Sequence, residues 1–563
     1  MAGEAEGEVV VPPTLQALLA ARLDQLETAE RSVLERGAVE GEIFHRGAVQ
    51  ALAPDEPQVT PRLAALVRKE VIRPNAPQLP GEDGFRFRHL LIRDAAYDAL
   101  TKATRAELHE RFARWLEQHG ATLVELDEIL GYHLEQACRY RRELGLDDDG
   151  ALAAAAQRRL TASGARAGVR GDNLAAVNLL ERAVALVPAD DIDLALEMEL
   201  LDALRWAGRG SDALASARSL VERATAAGDR IAELCARIKE GWLRLTLEPE
   251  GATEQLAVLL DEALPEFEET GDDAALSVAY AALGQVRNTQ GQMDALRDAY
   301  ERAAVHARRA ESPHEFLGWQ ALGRFIGTTP FSELLAWLDE QEARGVRHHR
   351  LDVRRLLALA MLGRFDEART IMKDVRTKVA ERGGGLALAS LLGDAAQLAL
   401  LAGDPATAAE SGSEALRLYD ELGEQASAST EAGMLAQALY ELDRLDEAAT
   451  WADRAAELGA SDDAITQMLW RRVKAKVLAC RGEHAEAERL AREALAIGDE
   501  TDLLNDVADA YADLGEVLAL AGRADEAAAA FAEALARYER KENLVMAERT
   551  RARLAPLQAT GAR

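Results

Sequence analysis

The sequence predicts an all-α protein, in which a long array of helical hairpins follows a small domain that contains a short β-hairpin. The chain has 563 residues, more than one compact core usually contains. Hydrophobic residues make up 48% and aromatic residues only 5%, so alanine, the strongest helix former, supplies much of the apolar content. Turn-forming residues recur at a fixed step through the last two thirds of the chain, which indicates repeats.

The clearest repeat lies near the end of the chain. Tyr511, Leu514 and Gly515 precede a turn at Gly522, and alanines flank Phe531 at helical spacing in the helix that follows. Small residues where two helices cross, and a residue suited to the left-handed conformation between them, are typical of the tetratricopeptide repeat. Further turns are Gly171, Gly208, Gly291, Gly363, Gly403, Asp443 and Gly482, with weaker copies near Gly251 and Gly327.

The last five turns follow one another at steps of 39 or 40 residues. An irregular helical bundle, the alternative interpretation, would not keep such a step. We therefore predict about ten tetratricopeptide-like hairpins over residues 151–545 and a helix end with a tail over 546–563.

A stack of such hairpins has a concave groove lined by the first helix of each pair. We predict a protein or peptide partner in this groove. By repeat phase, its inward-facing positions include Gln285, Asn288, Gln397, Gln437, Tyr440, Arg472, Lys476 and Glu516. The alternative is a solvated concave face that binds nothing.

The front of the chain lacks the repeat. Helices are predicted after Pro12-Pro13 and over Glu30–Ala38 and Arg62–Lys69, and two extended segments follow, at 71–74 and 85–88. This order predicts a winged-helix domain over 12–120, after a disordered acidic tail at 1–11. Helices over Thr104–His119 and Val124–Leu144 follow, and residues 121–150 are predicted to form a bridging helix and linker.

The segments VPPTLQALLAARLDQL, LVRKEVIRP and FRFRHLLIRDAAYDAL resemble the winged helix of STAND-type signalling ATPases. GYHLEQACRYRRELG resembles the helical bridge after that domain. The family includes large bacterial regulators that carry nucleotide cyclase or LuxR-type domains, in which an ATPase core precedes the winged helix and the repeats. The resemblance implies a regulatory role for this chain.

The chain has no GxxxxGK[ST] phosphate loop, and Gly383-Gly384-Gly385 is followed by leucine and alanine. We therefore expect a non-catalytic regulatory scaffold without a cofactor, which corresponds to the rear half of such a protein. One alternative is that the chain is the truncated regulatory half of a STAND ATPase or nucleotide cyclase. The other is a winged-helix transcriptional regulator.

His89, in RFRHLL, matches the histidine that contacts nucleotide in the family, so the resemblance implies nucleotide sensing in trans. A packed histidine at a strand end is the alternative. Arg86, Arg88, Arg93 and Asp94 form a charge cluster, and residues 61–120 hold 11 Lys and Arg against 8 Asp and Glu. Such a small excess disfavours DNA binding, and internal ion pairing explains the cluster equally well.

No metal site is predicted. His109-Glu110 lacks the second histidine of HExxH, His133 suggests a helix interface, and His348-His349 suggests an exposed loop between arginines. Asp147-Asp148-Asp149 lacks the ligand spacing of a calcium loop.

The net charge of −31 disfavours a general nucleic-acid surface. The acidic start does not resemble a secretory signal, and no apolar run reaches the length of a membrane span. A cytoplasmic location without membrane contact is therefore expected.

Overall fold

The computed structural model describes residues 23–146, 150–188, 191–312, 316–346, 348–381 and 385–561. The chain divides into two compact units, Met1–Leu200 and Leu201–Arg563. The predicted tail at 1–11, the helix start at Pro12-Pro13, the Asp147–Asp149 run and Gly383-Gly384 lie outside the described residues.

The front unit starts with a small mixed domain. Its elements are α1 (Thr28–Glu40), β1 (Ile43–His45), α2 (Arg46–Leu52), α3 (Val59–Arg68), β2 (Ile72–Asn75) and β3 (Gly84–Phe87). The strands form one antiparallel sheet in the order β1-β3-β2. The predicted hairpin of β2 and β3 is confirmed. The elements β1 and α2 were not predicted, because three and seven residues are too few to show a periodic pattern.

The core of this domain lies between the sheet and the helices. Phe44 of β1 is fully buried, and its ring centroid lies 5.2 Å from that of Phe87 in β3. Gly37 of α1 lets this ring approach, since a Cβ there would lie 3.0 Å from the Phe44 side chain. Leu34, Leu63 and other apolar side chains of α1 and α3 complete the core.

Five further helices complete the part of the front unit that precedes the second hairpin. They are α4 (Leu90–Asp98), α5 (Lys102–His119), α6 (Leu126–Glu143), α7 (Ala151–Arg170) and α8 (Asn173–Val184). The pair α7 and α8 is the first repeat hairpin, and its turn residue Gly171 has φ +80°. The first hairpin therefore belongs to the front compact unit, and the division falls inside the next helix.

In the rest of the chain, the described residues form helices joined by turns and short loops. The helices are α9 (Leu194–Trp206), α10 (Gly210–Ala227), α11 (Arg230–Leu247), α12 (Ala252–Thr270), α13 (Asp273–Thr289), α14 (Met293–Arg309), α15 (Leu317–Ile326), α16 (Phe331–Ala343), α17 (His349–Met361), α18 (Phe365–Glu381), α19 (Gly385–Leu401), α20 (Pro405–Leu422), α21 (Gln425–Glu441), α22 (Leu445–Leu458), α23 (Ala464–Cys480), α24 (His484–Gly498), α25 (Leu504–Leu520), α26 (Ala524–Lys541) and α27 (Leu544–Gly561). The predicted solenoid of helical hairpins is confirmed.

The turn positions carry the expected backbone conformation, with one exception. Gly363, Gly403, Gly482 and Gly522 have positive φ, and Asp443 adopts the same conformation with φ +58°. The copy near Gly327 is different, because that residue has φ −69° and ends a short helix of ten residues. A Pro-containing loop instead leads into α16, so the prediction of a left-handed turn there was wrong.

Small residues let the two helices of a hairpin approach. A Cβ on Gly284 of α13 would lie 2.5 Å from the Tyr300 ring in α14, and one on Gly515 of α25 would lie 3.0 Å from Phe531 in α26. These two contacts explain the paired glycine and aromatic positions of the sequence pattern. The large ring fills the space that glycine leaves, and both rings are buried.

Within the rear unit, hairpins far apart in sequence also touch. Asp502 accepts hydrogen bonds from the backbone N–H groups of Met293 and Asp294 at 2.6 and 2.7 Å. Glu542 accepts one from Ser332 N–H at 2.8 Å, and Glu250 accepts one from the Ser461 hydroxyl at 2.8 Å. These partners are 208 to 211 residues apart, so the solenoid completes one superhelical turn in about five hairpins.

Lys541, at the end of α26, makes a further cross-turn contact, and its side chain is fully buried. Its ammonium group donates to the carbonyl oxygens of Arg324, Gly327 and Thr329 at 2.9, 2.5 and 2.6 Å. These carbonyls lie at and just beyond the C-terminal end of α15, where a positive charge is favoured. Lys541 therefore fastens the second turn of the superhelix to the first.

Candidate functional site

Five of the predicted groove residues come together on the first helices near the end of the solenoid. Arg472 of α23 contacts two carboxylates of α25, with Nε 2.9 Å from Asp513 Oδ2 and Nη2 3.2 Å from Asp509 Oδ2. Lys476, one turn later in α23, lies 3.0 Å from Asp513 and donates to Gln437 of α21 at 2.7 Å. The contacts form a polar ladder across three successive first helices.

Charge balance within this polar ladder is nearly complete. Burial raises the pKa of Asp513, but the charges of Lys476 and Arg472 outweigh it and hold that pKa below its usual range. Arg472 and Lys476 are themselves buried. These two cations therefore pair with Asp513 between the helices of the stack and are not presented to solvent.

The neighbouring polar contacts remain partly accessible. The Tyr440 hydroxyl of α21 donates to Glu516 of α25, and the second oxygen of Glu516 accepts from Arg553 of α27 at 2.8 Å. Lys476 lies 4.6 Å from the centroid of the Tyr440 ring. Tyr440, Gln437 and Glu516 are all half-buried, so they form the edge of the ladder that solvent reaches.

An open pocket adjoins this edge. Its lining residues are Glu516, Ala519, Leu520, Phe531, Arg553 and Leu557. One side is the ion pair of Glu516 and Arg553, and the other is apolar. A pocket with a charged rim and an apolar floor suits a side chain of a partner protein.

The other three predicted positions lie apart from the ladder. Gln285 of α13 is buried and donates to the Tyr300 hydroxyl of its own hairpin. Asn288 of α13 and Gln397 of α19 are half-buried on other first helices. Of the eight predicted positions, only those of α21, α23 and α25 are therefore brought together in one constellation.

Sequence reasoning missed an arginine on the inner face. The prediction of an exposed loop at His348-His349 was wrong, because His349 begins α17 and the His348 ring accepts from Arg350 N–H at 3.2 Å. The next residue, Arg350, stacks on Trp206 of α9 with 3.9 Å between its guanidinium carbon and the ring centroid. No local pattern signals a contact between residues so distant in sequence.

In the front unit, the predicted charge cluster consists mainly of ion pairs. Arg86 lies 2.7 Å from Glu42, and Arg93 lies 3.0 Å from Asp94. Arg88 is 3.8 Å from Glu70 and is exposed. His89 is exposed as well and immediately precedes α4. Arg88 and His89 are thus exposed to solvent, while Arg86 and Arg93 are paired with carboxylates.

A buried histidine pair joins α5 to α6. The Nδ1 atoms of His109 and His133 lie 2.8 Å apart, and His109 Nε2 is 2.7 Å from the Tyr97 hydroxyl of α4. That hydroxyl lies 3.1 Å from the hydroxyl of Tyr140. Burial, together with the charges of three nearby arginines, lowers the pKa of His109 to about 3. Burial and His109 lower the pKa of His133 as well, so both rings are neutral near pH 7.

Two further observations concern ligands and membranes. Over the described residues, no group of three or more His, Cys, Asp or Glu side chains is placed to hold a metal ion. Within the same part of the chain, every helix is too short or too polar to cross a membrane.

Two of the three hairpins that carry the polar ladder coincide with a sequence-family match. Residues 464–540 match the tetratricopeptide repeat model. These residues contain α23 to α26, which carry Arg472, Lys476 and Glu516. No curated protein sequence matches the chain.

Solved structures of helical repeat proteins resemble the chain at low identity. A STAND protein with a tetratricopeptide repeat sensor from Pyrococcus horikoshii is 13% identical, with a TM-score of 0.35, over 98% of this chain and 67% of its own. A Rap protein complexed with Competence and Sporulation Factor is 15% identical, with a TM-score of 0.39, over 66% of this chain and 98% of its own. Yeast Tom70 is 14% identical, with a TM-score of 0.32, over 80% of this chain and 97% of its own.

Proposed function

We propose that this chain is a non-catalytic scaffold of a bacterial signalling or transcription-regulatory system, located in the cytoplasm. It binds a protein or peptide partner through the inner face of its rear unit. The observation that carries this proposal is the convergence of Gln437, Tyr440, Arg472, Lys476 and Glu516 on three successive first helices. Repeat proteins of this architecture commonly use such a face for partners.

The accessible edge of the ladder defines the chemistry of the partner. Gln437 offers an amide and Tyr440 an aromatic face with a hydroxyl, while Glu516 offers a carboxylate beside the apolar pocket. An extended peptide supplies backbone N–H and C=O groups to these side chains and an apolar side chain to the pocket. Because the chain has a net charge of −31, a partner with basic residues next to that apolar anchor is favoured.

Affinity capture with the full chain tests this proposal. The double variant Tyr440→Ala, Glu516→Gln removes the Tyr440 ring and hydroxyl and the charge of Glu516, and it leaves Arg472 and Lys476 paired with Asp513. Glu533→Gln, on the exposed side of α26, is the matched control. The expected result is a partner retained by the wild type and the control and lost from the double variant. A strictly monomeric chain that captures no protein, or captures the same set in all three forms, would contradict it.

We further propose that α1 to β3 form a winged helix that docks on an ATPase core in trans, with His89 directed to the bound nucleotide. The order of helices and strands, the single antiparallel sheet and the exposure of His89 support this role. His89→Ala in the full chain is expected to change the rate of nucleotide hydrolysis by a captured ATPase without loss of the complex. An unchanged rate would contradict the role of His89.

DNA binding by the front unit is less well supported, because Arg86 and Arg93 already contact carboxylates. A gel shift with the full chain at low and high salt tests it, since phosphate contacts produce salt-dependent affinity.

A further inference from the structure

Arg350 lies in a column of aromatic rings inside the rear unit. Its guanidinium carbon is 3.9 Å from the ring centroid of Trp206 in α9 and 5.8 Å from that of Trp319 in α15. The Trp319 ring is stacked in parallel on Tyr300, with 5.6 Å between centroids. On Trp206, the guanidinium carbon of Arg205 lies 5.0 Å from the centroid. The Arg350 guanidinium of α17 therefore contacts two indoles, one from α9 and one from α15.

Four other cations of the first helices have carboxylate partners. Arg354 lies 2.9 Å from Asp394, Lys239 lies 2.5 Å from Asp202, and Arg472 and Lys476 share Asp513. Among the described residues, no carboxylate lies within ion-pair distance of the Arg350 guanidinium. The charge of Arg205 is only partly compensated, because its closest carboxylate, that of Glu424, is 3.9 Å away. The Nε atom of Arg205 is also buried without a hydrogen-bond acceptor.

Arg350, Arg205 and Arg354 form a local concentration of positive charge in an acidic chain. Burial, together with the nearby charges of Arg205 and Arg354, lowers the pKa of Arg350 to about 10. That pKa still leaves Arg350 charged near pH 7, and the three guanidinium groups repel one another. Arg350 keeps part of its surface exposed, so a solute can reach it. An anion at this position would relieve the repulsion.

We propose that Arg350 and Arg205 form a binding site for a carboxylate, flanked by Trp206 and Trp319. A guanidinium edge pairs with a planar carboxylate through two parallel hydrogen bonds, and the flanking indoles exclude water from them. The net charge of −31 opposes polyanions such as nucleic acid. The ligand is therefore a molecule with a single carboxylate and a planar apolar body that packs on an indole. The site does not depend on partner binding at the ladder of α21 to α25.

The proposal makes an unusual prediction for the chain without ligand. Removing a charge that lacks a counterion removes a destabilising contribution. Arg350→Met is therefore expected to raise the melting temperature of the full chain. Arg369→Met is the matched control, because Arg369 also lies over a ring, Phe365, but is exposed and 3.3 Å from Asp366. The control is expected to leave the melting temperature nearly unchanged.

Calorimetry and thermal shift with the full chain test the ligand. The probes are benzoate and N-acetyltyrosine, which represent a free acid and a peptide end, together with benzamide and N-acetyltyrosine amide as neutral counterparts. Saturable binding of either acid, with no binding of its amide, is expected, and the preferred acid identifies the source. Arg350→Lys keeps the positive charge but cannot form two parallel hydrogen bonds to a carboxylate, so it is expected to weaken binding about tenfold. Arg369→Met is expected to bind as the wild type does.

Equal affinity of the acids and their amides, or unchanged affinity in Arg350→Lys, would overturn the proposal. So would an equal response to sulfate, because the site would then select charge and not the carboxylate. Loss of partner capture in Tyr440→Ala, Glu516→Gln with intact benzoate binding would separate this site from the proposed partner face.

Discussion

The buried histidine pair predicts that the front unit loses stability in mild acid. His109 has a pKa of about 3 in the folded chain, against an ordinary value of 6.5. Because the folded pKa is lowered, the unfolded chain binds the proton more tightly, and stability is full above about pH 6.5 and falls below it. Between about pH 7.5 and pH 5, one such histidine removes about 2 kcal/mol. The pKa of His133 is shifted in the same direction, which adds to this loss.

Hydrogen exchange of the full chain, followed by mass spectrometry, measures this effect locally. Peptides from α5 and α6 report the opening free energy of the front unit at both pH values, after correction for intrinsic exchange. The double variant His109→Gln, His133→Gln is expected to be less stable at pH 7.5 and to lose most of the pH dependence. His89→Gln, which changes an exposed histidine, is expected to keep the wild-type pH dependence.

The result that refutes this reasoning is a pH dependence in α5 and α6 that stays the same in the double variant. The acid sensitivity would then come from carboxylates, whose paired forms are lost at lower pH. Wild-type peptides that keep their full protection at pH 5 would also contradict it.

Three substitutions in the rear unit test its packing by urea unfolding of the full chain. Lys541→Met leaves three buried carbonyl groups without a donor, and a loss of about 3 kcal/mol is expected. Asp513→Ala leaves Arg472 without its closest buried counterion, and a loss of about 3 kcal/mol is expected. Gly284→Ala places a methyl group against the Tyr300 ring, and overpacking is expected to cost about 2 kcal/mol.

Two of these substitutions, those at Lys541 and Gly284, have a control within the chain. Lys541→Arg keeps a cation near the carbonyls and should lose less stability than Lys541→Met. Gly168→Ala lies in a helix where a Cβ would meet no atom closer than 4.0 Å, so it should be neutral or stabilising. If Lys541→Met or Asp513→Ala left the unfolding midpoint unchanged, the burial of these charges would not have the energetic role assigned to it.

The sequence predicted the hairpins because their signal is local. A glycine in the left-handed conformation at Gly363 or Gly522, and a glycine facing an aromatic ring one helix later, need only residues within one repeat. The prediction of a left-handed turn at Gly327 was wrong, because this glycine ends a short helix without adopting that conformation. The strand β1 was missed because it is short and is stabilised by its pairing with β3, about 40 residues later, and α2 was missed because seven residues are too few to show a helical period.

The candidate site was predictable only in part, for the same reason. Repeat phase places Arg472 and Lys476 on the inner face, but it does not identify Asp513 as their shared partner or reveal that both are buried. The stacking of Arg350 on Trp206 depends on the curvature of the whole superhelix. Curvature accumulates from small rotations between repeats, and these are not encoded in any one motif.

The cross-turn contacts give the rear unit a property that open solenoids lack. In an open array each hairpin contacts only its neighbours, so stability is a sum of nearest-neighbour terms. Here Asp502 fixes the start of α14 and Lys541 fixes the end of α15, about five hairpins earlier. Opening the inner face therefore requires release of several cross-turn polar contacts together. A partner that enters deeply must replace these contacts, whereas one that binds at Tyr440 and Glu516 reaches an edge that is already partly exposed. This difference favours the edge as the first point of binding.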